Sequence, residues 1–137
     1  MSRDSLHTAS VILVVVPTIV YGGLSLLRFI TKRVPGYMDN PVRRAFFTAG
    51  HAHAGVLVLL ALVGLLYVDH ANLSAGLKEL VRWCLVLPPI LMPAGFFLSI
   101  VSPKAARPGP LLALVYLGAI SLAAGTVLLG VGLLRGA

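Results

Sequence analysis

Two histidines, His51 and His53, sit two residues apart in FFTAGHAHAGVLVLLALVGLLY (residues 46–67), a run otherwise apolar and long enough to cross a bilayer. An imidazole can ligate a metal or heme iron, relay a proton, or hydrogen-bond a bound molecule. A polar ring in hydrocarbon is costly, so an intramembrane histidine is read first as functional. The spacing narrows the chemistry. Residues two apart on a regular helix point about 200° from one another, so this pair does not close on one ion as an i, i+4 pair does. One ring, taken as His51, is expected to face its own bundle near Tyr116. The other then faces a second subunit, the headgroups or lipid. Ala49, Gly50, Ala52, Ala54 and Gly55 leave room for a flat cofactor or for a neighbouring backbone. The plain alternative is a structural hydrogen bond from His51 to a hydroxyl or a free carbonyl.

The elements that hold these residues are membrane spans. Of 137 residues, 58% are hydrophobic and 11% charged, too few charges for a soluble domain's shell. Mean hydropathy is +0.98. Apolar runs cover about 8–29, 45–67, 80–101 and 110–134. The fold class is therefore all-α: a polytopic membrane protein, one four-helix transmembrane bundle over residues 1–137. The first run is too long for a signal-peptide core and no small-x-small site follows it, so it reads as a retained helix. RVPGYMDNP, DHANLSAG and SPKAARPGP separate the spans, with Asn40 and Pro41 as N-cap and first residue of the second helix. Pro88, Pro89 and Pro93 should kink the third helix and free carbonyls that need partners inside the bundle.

Lys and Arg placement sets the orientation. Arg28, Lys32, Arg33, Arg43, Arg44, Lys104 and Arg107 belong to the first and third loops with their flanks. Arg3, Lys78, Arg82 and Arg135 belong to the other side, with three of the four acids. The bias puts both termini outside a bacterial-type plasma membrane and the first and third loops in the cytoplasm. Trp83 and Tyr67 then act as outer aromatic anchors and Tyr37 as an inner one. The net charge of +7 collects at helix ends, which favours anionic headgroups over nucleic acid.

Residue counting adds a depth. His51 and Tyr116 each lie six residues into a span entered from the same side, roughly 9 Å deep at 1.5 Å per residue. Tyr21, Gly22 and Ser25, and Met92, Gly95 and Ser99, fall in the same layer. That layer is the candidate site, with His51, His53, Met92, Tyr116 and Tyr21 as cofactor-binding candidates and the two histidines as metal-ligand candidates.

GHAHAGVLVLLAL resembles the second-helix histidine segment of heme-copper oxidase subunit I and its short four-helix membrane relatives. The resemblance covers about a dozen residues and implies that His51 or His53 is an axial ligand of a b-type heme. The chain departs from that family in having no histidine after His70, no copper-ligand set, and a pair placed toward the cytoplasmic side. Oxygen reduction is accordingly not expected. A heme held by one histidine, by histidines of two subunits, or by histidine and Met92 is the chemistry left.

Other chemistries have little foundation. Cys84 is the single cysteine and reads as a small core residue. Ser99 and Ser121 have no base beside them. His7 and His70 fall near the outer surface, where a surface metal site competes with plain solvation. The span cores lack carboxylates, which argues against a carboxylate proton relay or cation-coupled transport. The leading expectation is a small redox-associated, electron-transfer membrane protein binding heme b or a transition metal ion. It would sit in the lipid bilayer as a homo-oligomer or with a membrane-complex partner. The alternatives are a cofactor-free accessory or scaffold subunit and a small-solute or metal channel lined by Tyr21, the histidines and Tyr116.

Overall fold

The computed structural model describes residues 1–136. It contains α1 (Arg3–Thr31), α2 (Pro41–Val68), α3 (Ala75–Val86), α4 (Pro88–Leu98) and α5 (Ala113–Leu134), the last entered through a 3₁₀ turn at Pro110–Leu112. Among the described residues there is no strand. The first three helices begin where a side chain offers an oxygen to the first free amides. Ser2 accepts from the Ser5 amide, Asn40 from Arg43 and Ser74 from Leu77. Four helical segments are long and apolar enough to cross a membrane, with α3 and α4 together making the third. The chain is an integral membrane protein with a four-helix bundle.

The hydrogen-bond ladder of the third span is interrupted at Leu87, between α3 and α4, while Leu87 itself keeps helical dihedrals (φ −65°, ψ −41°). Pro88 has no amide to give the carbonyl of Cys84, four residues back. The Ser121 hydroxyl on α5 donates to that carbonyl instead, at 3.3 Å. Gly125 makes the approach possible, because a Cβ there would stand 2.8 Å from the Cys84 Cβ. This span also runs Ala75–Leu98 rather than 80–101. Hydropathy discounted Lys78 and Glu79, yet Lys78 Nζ donates to the Asp69 carbonyl and Glu79 pairs with Arg82, so helix continues through both.

α2 is the central helix, in contact with α1, α3, α4 and α5, while α5 packs on α3 and α4. α1 packs chiefly on α2. A wedge of α2, the broken span and α5 therefore carries α1 on its outside, and a cleft floored by α2 remains between α1 and the broken span. The apolar core lies toward the end of the bundle that carries the chain termini and includes Ile12, Val58, Leu65, Val81, Leu85 and Leu129.

Arg43 stitches the opposite, loop end. Its guanidinium donates to the carbonyls of Gly36, Ile100 and Val101 and lies 4.5 Å from the Phe47 ring centroid. Asn40 Nδ2 donates to the Pro103 and Ala105 carbonyls. Gly36, at φ 74°, brings the first loop against Pro103 where a side chain would collide. Tyr37 is 1% exposed, its ring against Phe29 and Phe47, so it is a buried residue of this stitch and not an interface anchor. Trp83 and Tyr67 are exposed, as anchors require.

Replacing Ser121 with Ala should leave the Cys84 carbonyl without its donor and cost about 1 kcal/mol. Reversible unfolding in mixed detergent micelles measures this. Ser121→Thr should retain most of the stability, and an alanine variant as stable as wild type would remove the bond from the account.

Candidate functional site: a cleft between the first helix and the broken span

The cleft holds two cavities of about 620 and 360 Å³, with Val11, Ile12 and Val86 in the lining of both. The larger opens at the terminal end among Asp4, His7, Thr8, Glu79, Arg82 and Trp83. The smaller lies within the membrane-spanning part. Thr18, Ile19 and Gly22 of α1 form one wall, Pro89, Pro93 and Phe97 of α4 the other, and His51, Ala54 and Val58 of α2 the floor. No charged residue lines it.

His51 is half-buried and rests on a diglycine step of α1. Its Nδ1 lies 3.7 Å from where a Cβ on Gly22 would stand, and its Nε2 2.9 Å from one on Gly23. At Gly23 a side chain would crowd the ring, whereas the distance at Gly22 is ordinary van der Waals contact. Neither ring nitrogen has a hydrogen-bond partner among the described residues, which is uncommon for a polar group at this depth. The cost of that unmet hydrogen bond falls on the folded state.

His53 differs. Its Nδ1 is 2.8 Å from the Ala49 carbonyl, which can only accept, so this nitrogen carries the proton. The ring lies 4.9 Å from Phe96, which also packs edge-on against Phe46 at 5.7 Å. His53 is thus satisfied within its own helix and packed within its own chain, on the α4 side.

The expected layer does not form one site. Tyr116 is 63% and Tyr21 73% exposed, so both point away from the helices they were to join, and His51 meets Gly22 and Gly23 instead of Tyr116. Met92 is buried toward α5, where a Cβ on Gly118 would come 2.5 Å from its Cγ, and it does not approach His51 from the cleft. Counting residues along a helix gives depth. It does not give azimuth, which packing of glycine against bulk decides here. His51 Nε2 would hold a heme iron only with more room beside Gly23 than the structure leaves, since even a Cβ there would stand 2.9 Å from that nitrogen. Among the described residues no three His, Cys, Asp or Glu side chains gather to hold a metal ion, and His70 is exposed.

At the terminal end Arg82, only 7% exposed, ties three helix ends together. Its Nη2 meets Asp69 at 3.0 Å and its Nη1 meets Glu79 at 3.0 Å, while Nε donates to Ser5 Oγ and Nη2 also to Ser2 Oγ. The Ser2 amide and the Ser5 hydroxyl donate to the Asp69 carboxylate. Sequence reasoning counted Arg82 only as a surface charge. The one signal was that Ser2, Ser5, Asp69 and Arg82 fall at the same membrane face.

Comparison with protein-family models, with curated proteins and with solved structures finds no match.

Burial alone would raise the Asp69 carboxyl, but the Ser2 amide, the Ser2 and Ser5 hydroxyls and Arg82 outweigh it and hold the pKa at about 2, against 3.8 ordinarily. A carboxylate depressed by folding stabilises fully above its unfolded pKa and loses that stabilisation as pH falls through the folded one. Thermal unfolding in detergent should therefore show about 2 kcal/mol lost between roughly pH 4 and pH 2. Asp69→Asn should be less stable at neutral pH and should lack this acid step. An unchanged step in that variant would assign it elsewhere.

Proposed function

We propose that this chain is a small redox-associated membrane protein that holds a neutral, ring-headed, membrane-soluble molecule of the quinone class in its cleft. A carbonyl oxygen of the ring would accept a hydrogen bond from His51. The observation that carries this reading is His51 itself: a hydrogen-bonding ring at bilayer depth, half-buried in an uncharged cavity, with both nitrogens unclaimed by the protein. The cavity's other polar side chain, Thr18, already donates to the Val15 carbonyl at 2.7 Å. A charged head would find no counter-charge there and would lose its hydration. A flat neutral ring with acceptor oxygens would find Phe97, Pro89 and Pro93 to lie against and one imidazole N–H to accept from.

That hydrogen bond would orient the ring and stabilise negative charge on its oxygen when a separate redox partner in the membrane supplies the electrons, and the same imidazole can pass on a proton. The heme expectation asks for more room at His51 Nε2 than the structure leaves. The accessory-subunit and channel readings leave His51 without a partner.

Protein reconstituted in nanodiscs with a short-chain benzoquinone should bind about one molecule per chain. His51→Leu should weaken binding at least about tenfold, a loss of roughly 1.4 kcal/mol. His53→Leu, on the far side of α2, should leave it unchanged. A Soret band in the same sample that disappears with His51 would instead put a b-type heme in the cleft. Neither quinone binding nor a Soret band would leave the cofactor-free accessory role.

We further propose that both termini lie outside a plasma membrane and the two basic loops in the cytoplasm, on the Lys and Arg bias. Ser5 is buried and unsuitable for labelling. Gly76, with nothing within 4 Å of an added Cβ, and exposed Ala106 are open positions. In a Cys84→Ala background, an impermeant maleimide should label Gly76→Cys and spare Ala106→Cys in intact cells. The reverse pattern inverts the orientation.

A further inference from the structure

The larger cavity belongs to a different chemistry from the one beside His51. It opens at the end of the bundle where a lipid headgroup lies, with charged groups of both signs and an exposed indole around it. Asp4 makes no ion pair among the described residues, and the Glu79 carboxylate is about half exposed beyond its contact with Arg82. Trp83 is 56% exposed and lines the same space. Two carboxylates and an indole face are the groups that take an ammonium. His7 stands exposed in the same wall and suits the phosphate of a zwitterion, whereas Arg82 has four of its five N–H groups committed within the chain.

At its inner end the cavity is lined by Val11, Ile12 and Val86, which also line the His51 cavity. From Asp4 to Ile12 along α1 is eight residues, about 12 Å, and from Glu79 to Val86 along α3 seven, about 10 Å. A lipid of the terminal leaflet can place its head at the mouth and the upper part of one acyl chain along Val11 and Val86.

We infer that the mouth cavity is a site for one phospholipid bearing a primary ammonium, of the phosphoethanolamine class, independent of what binds at His51. A primary ammonium donates hydrogen bonds to Asp4 and Glu79. A quaternary one has none to give, and an anionic glycerol headgroup is repelled by the carboxylates.

Native mass spectrometry of the protein released from bilayers of equal phosphatidylethanolamine, phosphatidylcholine and phosphatidylglycerol tests this. Wild type should retain one phosphatidylethanolamine per chain, with about a tenfold preference over each competitor. Asp4→Asn leaves the Arg82 ion pairs in place and should erase most of that preference, whereas Trp83→Leu should lower retention of phosphatidylethanolamine and phosphatidylcholine alike, with unchanged unfolding temperature as the folding control. Equal retention of phosphatidylcholine would overturn the assignment to a primary ammonium. Preferential phosphatidylglycerol, or a preference intact in Asp4→Asn, would overturn the site.

Discussion

In hydrocarbon the hydrophobic effect gives helices no reason to associate, so they hold together where backbones pack closely and where a stray hydrogen bond can be completed. Here that contact lies between α5 and the broken third span. Gly118 and Gly125 bring α5 against Met92 and Cys84, and Ser121 supplies the donor that Pro88 withdrew from the Cys84 carbonyl. The break at Leu87 is therefore tolerated on the α5 side. On its other side the same span turns prolines and Phe97 toward α1 without closing on it, and the cleft is what remains.

The two ends of α1 are tied by different means. At the terminal end Ser2 and Ser5 join the Arg82–Asp69 pair, and at the loop end Phe29 packs on Tyr37. A buried ion pair contributes little net stability once desolvation is counted, but removing one partner leaves an uncompensated charge. Its effect here is on register: three helix ends must meet for Arg82 to be satisfied. The aromatic and arginine stitch makes the same demand of the two loops. Between these ties α1 touches the bundle mainly along α2, with His51 seated on Gly22 and Gly23.

Much of this was legible in the sequence. The spans, the Asn40–Pro41 helix start and the interruption of the third helix follow from hydropathy and from proline's missing amide, which are local properties. The opposite directions of His51 and His53 follow from helix geometry alone. What each ring meets does not. Tyr116 and Tyr21 share the depth of His51 but turn outward, because the glycines of α1 and α5 rather than their tyrosines make the helix contacts. The start of the third span was misplaced for a related reason: a hydropathy sum treats Lys78 and Glu79 as solvated, and only the fold reveals their partners. The Arg82 cluster joins residues 2, 5, 69, 79 and 82, a non-local arrangement with no periodic signature.

The histidines show how structure separates two residues that sequence treats alike. Both are half-buried, both lie among small residues, and both sit in one helix at nearly one depth. His53 has its hydrogen bond to Ala49 and its aromatic neighbour, so the fold accounts for it without a ligand. His51 has close van der Waals contacts but no hydrogen bond, and it borders a cavity with no charge in its lining. An imidazole used only for packing could be a leucine, at lower cost in a bilayer. The polar atoms of His51 therefore require an explanation that packing does not supply, and a hydrogen-bond acceptor entering from the cleft supplies one.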